Sequence, residues 1–137
     1  MTRKAYDKVG GLYEKSILGS GDHNMSLSLM KKGINSLNNN TTDNYKKSVL
    51  EFEKKANGLR LGYVPGIIRH YFHGSKKNRK YQERWQILVD NKYDPYEHVT
   101  YNNIGLLIPT ENCPQQLLDS IMQYFSERNE DEGYLSN

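Results

Sequence analysis

The chain of 137 residues is poor in several residue types, and each shortage excludes a class of protein. Its single cysteine, Cys113, permits neither an intramolecular disulfide nor a zinc site built from several thiolates. No apolar run approaches the roughly 20 residues that span a membrane, and the N-terminal residues lack an apolar signal region. We therefore expect a cytoplasmic protein that does not enter a membrane.

The charge of the chain is unevenly distributed along the sequence. The formal net charge is only +3, which is too small to indicate nucleic-acid binding by itself. Residues 69–84 nevertheless contain six cations and one acidic residue, whereas residues 127–132 contain four acidic residues and one arginine. This separation predicts one surface that faces an anion and one acidic end that is exposed to solvent.

Length and apolar patterning predict a single domain of residues 1–137 with a mixed α/β fold. In the first part of the chain we expect a helix over 3–9, a second helix that opens at Gly21-Asp22, and a third over 43–57. Threonines that can act as caps precede the first and third of these helices. The buried side of the third helix is expected to carry Tyr45, Val49, Leu50 and Phe52.

The second part of the chain carries signals for both strands and helices. Segments 59–64 and 67–72 read as strands because they are rich in β-branched and aromatic residues and a Pro-Gly turn separates them. Residues 77–89 show apolar spacing typical of a helix. A short strand over 104–108 and an amphipathic helix over 114–125 complete the prediction.

The first candidate site is the turn that contains Gly19, Gly21, Asp22 and His23. Glycines allow the backbone to approach a ligand closely. Asp22 lies where a helix is expected to start, so its carboxylate could either cap that helix or face a cleft. The residues alone leave both alternatives open.

The second candidate site is the basic segment, which begins at the histidine pair and contains His70, His73, Lys76, Lys77 and Arg79. Imidazoles can bind a divalent metal, and cations beside them can hold a diphosphate. Because residues three apart on a strand face opposite sides, we expect one metal ligand from the pair rather than two. A buried strand followed by a solvated basic helix is the structural alternative.

Three motifs in this order resemble the C-terminal, acceptor-side half of the GT-A glycosyltransferases, and the pattern is similar to that of galactosyltransferases. The motifs are Gly10-Gly11-Leu12-Tyr13, Gly19-Ser20-Gly21-Asp22 and Ile67-Ile68-Arg69-His70, followed by the lysine-rich turn. The closest resemblance is to glycosyltransferase-like proteins of phages and bacteria. It covers residues 3–90, so that 91–137 would form a C-terminal extension.

The resemblance implies a metal-dependent transfer of a sugar from a nucleotide-sugar to an acceptor hydroxyl, with inversion at the anomeric carbon. Asp22 would be the general base, and His70 would complete the coordination of Mn²⁺ or Mg²⁺, with His73 as the other metal candidate. The diphosphate would be held by His73, Lys76, Lys77 and Arg79. Gly19, Gly21 and His23 would lie on the acceptor side.

The chain departs from this family at three points. Gly21 stands where the family has a glutamate, and Ile67 stands where it has a methionine ligand. The chain also contains no Asp-x-Asp motif, which in the family ends the nucleotide-binding βαβ half. The resemblance therefore implies a partial enzyme, whose partners would be a nucleotide-sugar, a glycan or other hydroxyl acceptor, and a separate nucleotide-binding half.

Two other functions remain open at the level of the sequence. A basic helix over 76–84 with Tyr81 and Trp85 would suit a small nucleic-acid-binding module, because cations interleaved with aromatic rings are typical of such surfaces. The modest net charge and the acidic residues near the C-terminus make this function less favoured. The chain could also be an inert structural remnant.

Overall fold

The computed structural model describes residues 1–69 and 78–128, and within them the fold is mixed α/β as the sequence predicts. These residues form five α-helices, one 3₁₀ turn and a two-stranded sheet. No helix in this part of the chain is long and apolar enough to cross a membrane. In chain order the elements are α1 (Arg3–Val9), α2 (Gly21–Leu29), the 3₁₀ turn (Gly33–Ser36), α3 (Asp43–Ala56), α4 (Glu83–Asp90), β1 (Val99–Tyr101), β2 (Leu107–Pro109) and α5 (Gln115–Arg128).

Side-chain caps fix the starts of α1 and α3. The hydroxyl oxygen of Thr2 accepts a hydrogen bond from the backbone N–H of Ala5 at 3.2 Å, and that of Thr42 accepts one from Tyr45 at 3.3 Å. Gly10 ends α1 in the left-handed conformation, with φ 79°, which a residue without a Cβ adopts without strain. The sequence predictions for these two helices are therefore confirmed.

The hydrophobic core is centred on α3, against which α1 and α2 pack. Tyr45 and Val49 on this helix are fully buried, but Leu50 is 45% exposed, so its predicted place on the buried side is wrong. Leu50 follows Val49 by one residue, and the 100° step of the helix turns it toward solvent. The buried apolar residues are Val9, Tyr13, Leu18, Tyr45, Val49, Phe52, Ala56, Leu88, Tyr93, Leu117 and Tyr124.

A buried chain of polar side chains, here called the hydroxyl network, joins α2 and α3 to the loop before α2. The Tyr45 hydroxyl donates to the Ser16 hydroxyl at 3.0 Å, and Ser16 donates to the side-chain oxygen of Asn24 at 2.6 Å. The Asn24 amide donates to Ser36 at 2.6 Å, and Ser36 donates to the Gly33 carbonyl at 2.5 Å. Because each member has a partner, burial of these polar groups is compatible with a stable core.

The C-terminal part packs α4 against α5 and carries the sheet as a separate hairpin. β1 and β2 are antiparallel, with Thr100 opposite Ile108. The side-chain oxygen of Asn102 accepts hydrogen bonds from two backbone N–H groups of the turn, those of Ile104 and Leu106. The strand predicted over 104–108 is confirmed only for its last two residues, and β1 was not predicted.

Two predicted elements differ from the structure. Residues 59–69 form no strand, and the apolar side chains Tyr63, Val64, Ile67 and Ile68 are between 81% and 92% exposed. The second half of the predicted strand 67–72 lies outside the described residues. Residues 78–82 are not helical, and α4 begins only at Glu83, so the predicted helix over 77–89 starts too early in the part that can be compared.

Candidate functional site

The turn before α2 has a backbone that tolerates few other residues. Gly19 has φ 94° and Ser20 has φ 69°, both in the left-handed region. A Cβ on Gly21 would lie only 2.7 Å from the carbonyl oxygen of Tyr13, so no side chain fits there. This contact gives a steric reason for the glycine at position 21.

Asp22 lies in the first turn of α2, one residue after the helix begins, while Ser20 occupies the N-cap position. The alternative that Asp22 caps the helix is therefore wrong. Its carboxylate is exposed and makes no hydrogen bond or ion pair with residues 1–69 and 78–128. His23 beside it is exposed as well.

The structure brings this turn together with the residues that follow the basic segment. The Ser20 hydroxyl oxygen accepts a hydrogen bond from Arg84 Nη2 at 3.1 Å and another from Trp85 Nε1 at 3.1 Å. An added Cβ on Gly19 would lie 3.0 Å from Arg84 Nη1, so the guanidinium packs directly on the glycine. The turn and the start of α4 are thus neighbours in space, although Ser20 and Arg84 are 64 residues apart in the sequence.

Arg79, the described residue of the basic segment, forms with Tyr81 and Arg84 a group here called the arginine cluster. The guanidinium carbon of Arg84 lies 4.7 Å from the centre of the Tyr81 ring, and that of Arg79 lies 5.1 Å from the same centre. Both contacts are in the range of cation–π interactions. The ring is 44% exposed, so the cluster is open to solvent on one side.

Helix α5 holds the backbone of this region. The Tyr124 hydroxyl donates to the carbonyl oxygen of Arg79 at 3.2 Å, and Lys80 forms an ion pair with Glu127. The hydrogen bond between the two side chains, helped by their opposite charges, raises the pKa of Lys80 and lowers the pKa of Glu127. A cleft of about 260 Å³ lies between α4 and α5; its walls are Lys80, Glu83, Arg84, Ile87, Ser120, Gln123, Tyr124 and Glu127.

Four of the predicted site residues, His70, His73, Lys76 and Lys77, lie outside the described residues. In the part of the chain that the structure describes, no group of three or more histidine, cysteine, aspartate or glutamate side chains could hold a metal ion. The described residues therefore supply no metal site, and the roles assigned to His70 and His73 stay predictions.

Sequence reasoning missed three residues that the site contains: Ser20, Arg84 and Trp85. Arg84 and Trp85 are the second and third residues of α4 and appeared in the sequence only as part of a basic and aromatic stretch. Ser20 appeared only as part of a glycine-rich turn. No local pattern signals a contact between them, since it depends on how α4 packs against the turn.

Comparison with known proteins identifies no relative of this chain. No family model matches it, and neither a curated protein nor a solved structure is significantly similar.

Proposed function

We propose that the chain is the acceptor-side part of a GT-A glycosyltransferase, which transfers a sugar from a nucleotide-sugar to a hydroxyl group in partnership with a nucleotide-binding half. One observation supports this proposal above the others. The turn that carries Asp22 is joined to the start of α4, which follows the basic segment, through the hydrogen bonds of Ser20 with Arg84 and Trp85. Arg79, the described candidate phosphate-binding cation, contacts the same Tyr81 ring as Arg84, so the turn of the candidate base and this cation are linked through Arg84.

In the proposed reaction Asp22 acts as the general base. The acceptor oxygen forms a bond to the anomeric carbon of the sugar while the bond from that carbon to the diphosphate oxygen breaks. Asp22 takes the proton of the acceptor hydroxyl, and the nucleoside diphosphate leaves with the bonding electron pair. An exposed carboxylate at the start of a helix suits this role because an acceptor hydroxyl can reach it. Attack from the face opposite the diphosphate inverts the anomeric configuration.

The cations of the basic segment would bind the departing diphosphate. Arg79 is the described member of the predicted set, and it is half-buried beside Tyr81. A guanidinium presents several N–H donors in a fixed plane, which suits phosphate oxygens. The resemblance also implies Mn²⁺ or Mg²⁺ at His70 and His73; because the described residues supply no metal cluster, no step is derived through the ion.

Calorimetric titration with UDP and Mn²⁺ tests the proposal, first with the chain alone and then with the chain mixed with a GT-A nucleotide-binding half. Turnover of UDP-galactose by the mixture, followed as released UDP, tests the chemistry. We expect Asp22→Asn to lower turnover by about 100-fold or more while nucleotide binding is retained, because proton removal by a positioned base contributes about that factor.

Asp43→Asn is the matched control, because Asp43 is also an exposed acidic residue in the first turn of a helix, α3. Its turnover should equal that of the unaltered chain. Absence of heat with UDP and Mn²⁺ in both titrations would contradict the proposal and would leave the inert remnant as the better description.

A nucleic-acid-binding module is the less favoured function. The continuous basic helix over 76–84 that it requires is absent from residues 78–82, which are not helical.

A further inference from the structure

The arginine cluster contains two positive charges on one aromatic ring. The guanidinium groups of Arg79 and Arg84 lie 5.1 Å and 4.7 Å from the centre of Tyr81. Two positive charges near one ring attract an anion more strongly together than either does alone. Neither arginine forms an ion pair with a carboxylate among residues 1–69 and 78–128.

The hydrogen bonding of the two guanidinium groups is also incomplete. The Nε atoms of Arg79 and Arg84 are both buried, and neither has a hydrogen-bond acceptor among the residues described. A buried charged donor without an acceptor is costly, and a bound anion is one kind of partner that satisfies it. Both arginines, which are five residues apart in the sequence, lack an acceptor for the same atom, Nε.

Other contacts hold the cluster in place. Arg84 donates through Nη2 to Ser20 and packs on Gly19, while the carbonyl oxygen of Arg79 accepts a hydrogen bond from Tyr124. Lys80 between Arg79 and Tyr81 adopts a left-handed conformation, with φ 41°, which a residue with a side chain adopts only when its surroundings fix it. The donors are therefore held in position before a ligand binds.

We propose that Arg79 and Arg84 form a binding site for a phosphate oxyanion, with Tyr81 between them, and that a diphosphate is its ligand. Charge-assisted hydrogen bonds from two guanidinium groups to phosphate oxygens would satisfy the two Nε–H donors and neutralise the paired charges. The site itself is argued from the arginine cluster, and only the choice of a diphosphate over a monophosphate rests on the proposed function. Arg84 thereby gains a direct binding role that the resemblance did not assign.

Trp85 is the only tryptophan of the chain and donates a hydrogen bond to the same Ser20 hydroxyl as Arg84, so its fluorescence can report binding. Sodium pyrophosphate is titrated into the full chain without metal or nucleoside, and inorganic phosphate is titrated in parallel. We expect saturable binding that is tighter for pyrophosphate. Arg84→Lys and Arg79→Lys keep the charge but remove the planar donors, and each should weaken binding by about tenfold or more.

Arg60→Lys is the matched control, because Arg60 is an exposed arginine outside the cluster, and its affinity should change by less than about twofold. Circular dichroism confirms that each variant is folded. If pyrophosphate binding is weakened equally in all three variants, or if no saturable binding is seen, the proposed anion site is overturned. If a single-stranded oligonucleotide binds more tightly than pyrophosphate, the ligand of the site is a nucleic acid and not a diphosphate.

The two proposals can fail separately. Pyrophosphate binding that depends on Arg79 and Arg84, without any response to UDP and Mn²⁺, would leave the anion site standing and remove the glycosyltransferase. Binding of UDP and Mn²⁺ that is unchanged by Arg84→Lys and Arg79→Lys would remove the anion site at these arginines and leave the glycosyltransferase proposal standing.

Discussion

The hydroxyl network and the arginine cluster are both polar groups taken partly out of water, but they differ in how fully they are satisfied. In the network, Asn24 uses its oxygen toward Ser16 and its amide toward Ser36. In the cluster, two buried Nε–H groups have no acceptor among the described residues. Both regions hold polar groups with little access to solvent, so the difference in partners indicates different roles.

A satisfied buried network stabilises one arrangement of the core and has nothing left to offer a ligand. A cluster of cations with unused donors gains free energy when an anion arrives. Substitutions in the network should therefore change stability and leave anion binding unaltered, while those in the cluster should do the opposite. The following predictions test that division, from the largest expected effect on stability to the smallest.

Replacing Asn24 tests the network at its centre. Asn24→Ala removes one hydrogen-bond partner from each of Ser16 and Ser36 and leaves a void at a fully buried position, so we expect the free energy of unfolding to fall by about 3 kcal/mol. Urea denaturation measures the change. The exposed Asn39→Ala should change it by less than about 0.5 kcal/mol.

The folded fraction of Asn24→Ala should bind pyrophosphate as the unaltered chain does. Equal stability of the Asn24 and Asn39 variants would show that the network does not stabilise the core, and a specific loss of pyrophosphate binding in Asn24→Ala would remove the division between the two regions.

A substitution at Gly33 tests how closely the hydroxyl network packs against α3. The Gly33 carbonyl accepts from Ser36, and its N–H donates to Glu53 at 2.6 Å. An added Cβ would lie 2.7 Å from the Ser28 hydroxyl oxygen and 2.9 Å from a Glu53 carboxylate oxygen. We expect Gly33→Ala to cost about 2 kcal/mol in the free energy of unfolding because the site is overpacked.

Gly62→Ala is the control for this substitution, since a Cβ at Gly62 meets no atom of the described residues within 4 Å. Its free energy of unfolding should stay the same or rise slightly, because alanine restricts the unfolded chain. A thermal or urea midpoint for Gly33→Ala as high as that for Gly62→Ala would contradict the packing described for the network.

The pH dependence of stability tests the tyrosine that begins the network. Burial raises the pKa of Tyr45 to about 12, above its ordinary value of 10.0. The folded state therefore keeps this proton when the unfolded state loses it, so the stabilisation is complete below pH 10 and is lost as the pH rises toward 12. At pH 11 the share of Tyr45 in this loss of folding stability is about 1 kcal/mol.

Urea denaturation at pH 9 and pH 11 measures this loss, and Tyr45→Phe should show a shallower fall than the unaltered chain. Burial also raises the pKa of Tyr13 and Tyr93, so the variant keeps part of the dependence. If the free energy of unfolding falls equally in both proteins between pH 9 and pH 11, the group that causes the fall is not Tyr45. Arg84→Lys, in contrast, should follow the unaltered chain at both pH values.

Part of the fold could be predicted from the sequence because its causes are local. Thr2 and Thr42 each cap a helix through an N–H three residues away, and Gly10 ends α1 through its own backbone. The exposure of segment 59–69 could not be predicted this way. Its apolar pattern is that of a strand, but a strand requires a partner, and the pattern of one segment does not show whether the described fold supplies one.

The candidate site could likewise be predicted from the sequence only in part. Residue types and order alone identified the Asp22 turn and the basic segment as chemically interesting, because carboxylates, histidines and clustered cations carry recognisable chemistry wherever they occur. Only the tertiary structure showed that Ser20 contacts Arg84, 64 residues away, that two arginines share the Tyr81 ring, and that Asn24 is a buried link rather than a surface residue. Local composition determines which groups are present, whereas packing between distant segments decides which of them are satisfied and which remain available to a ligand.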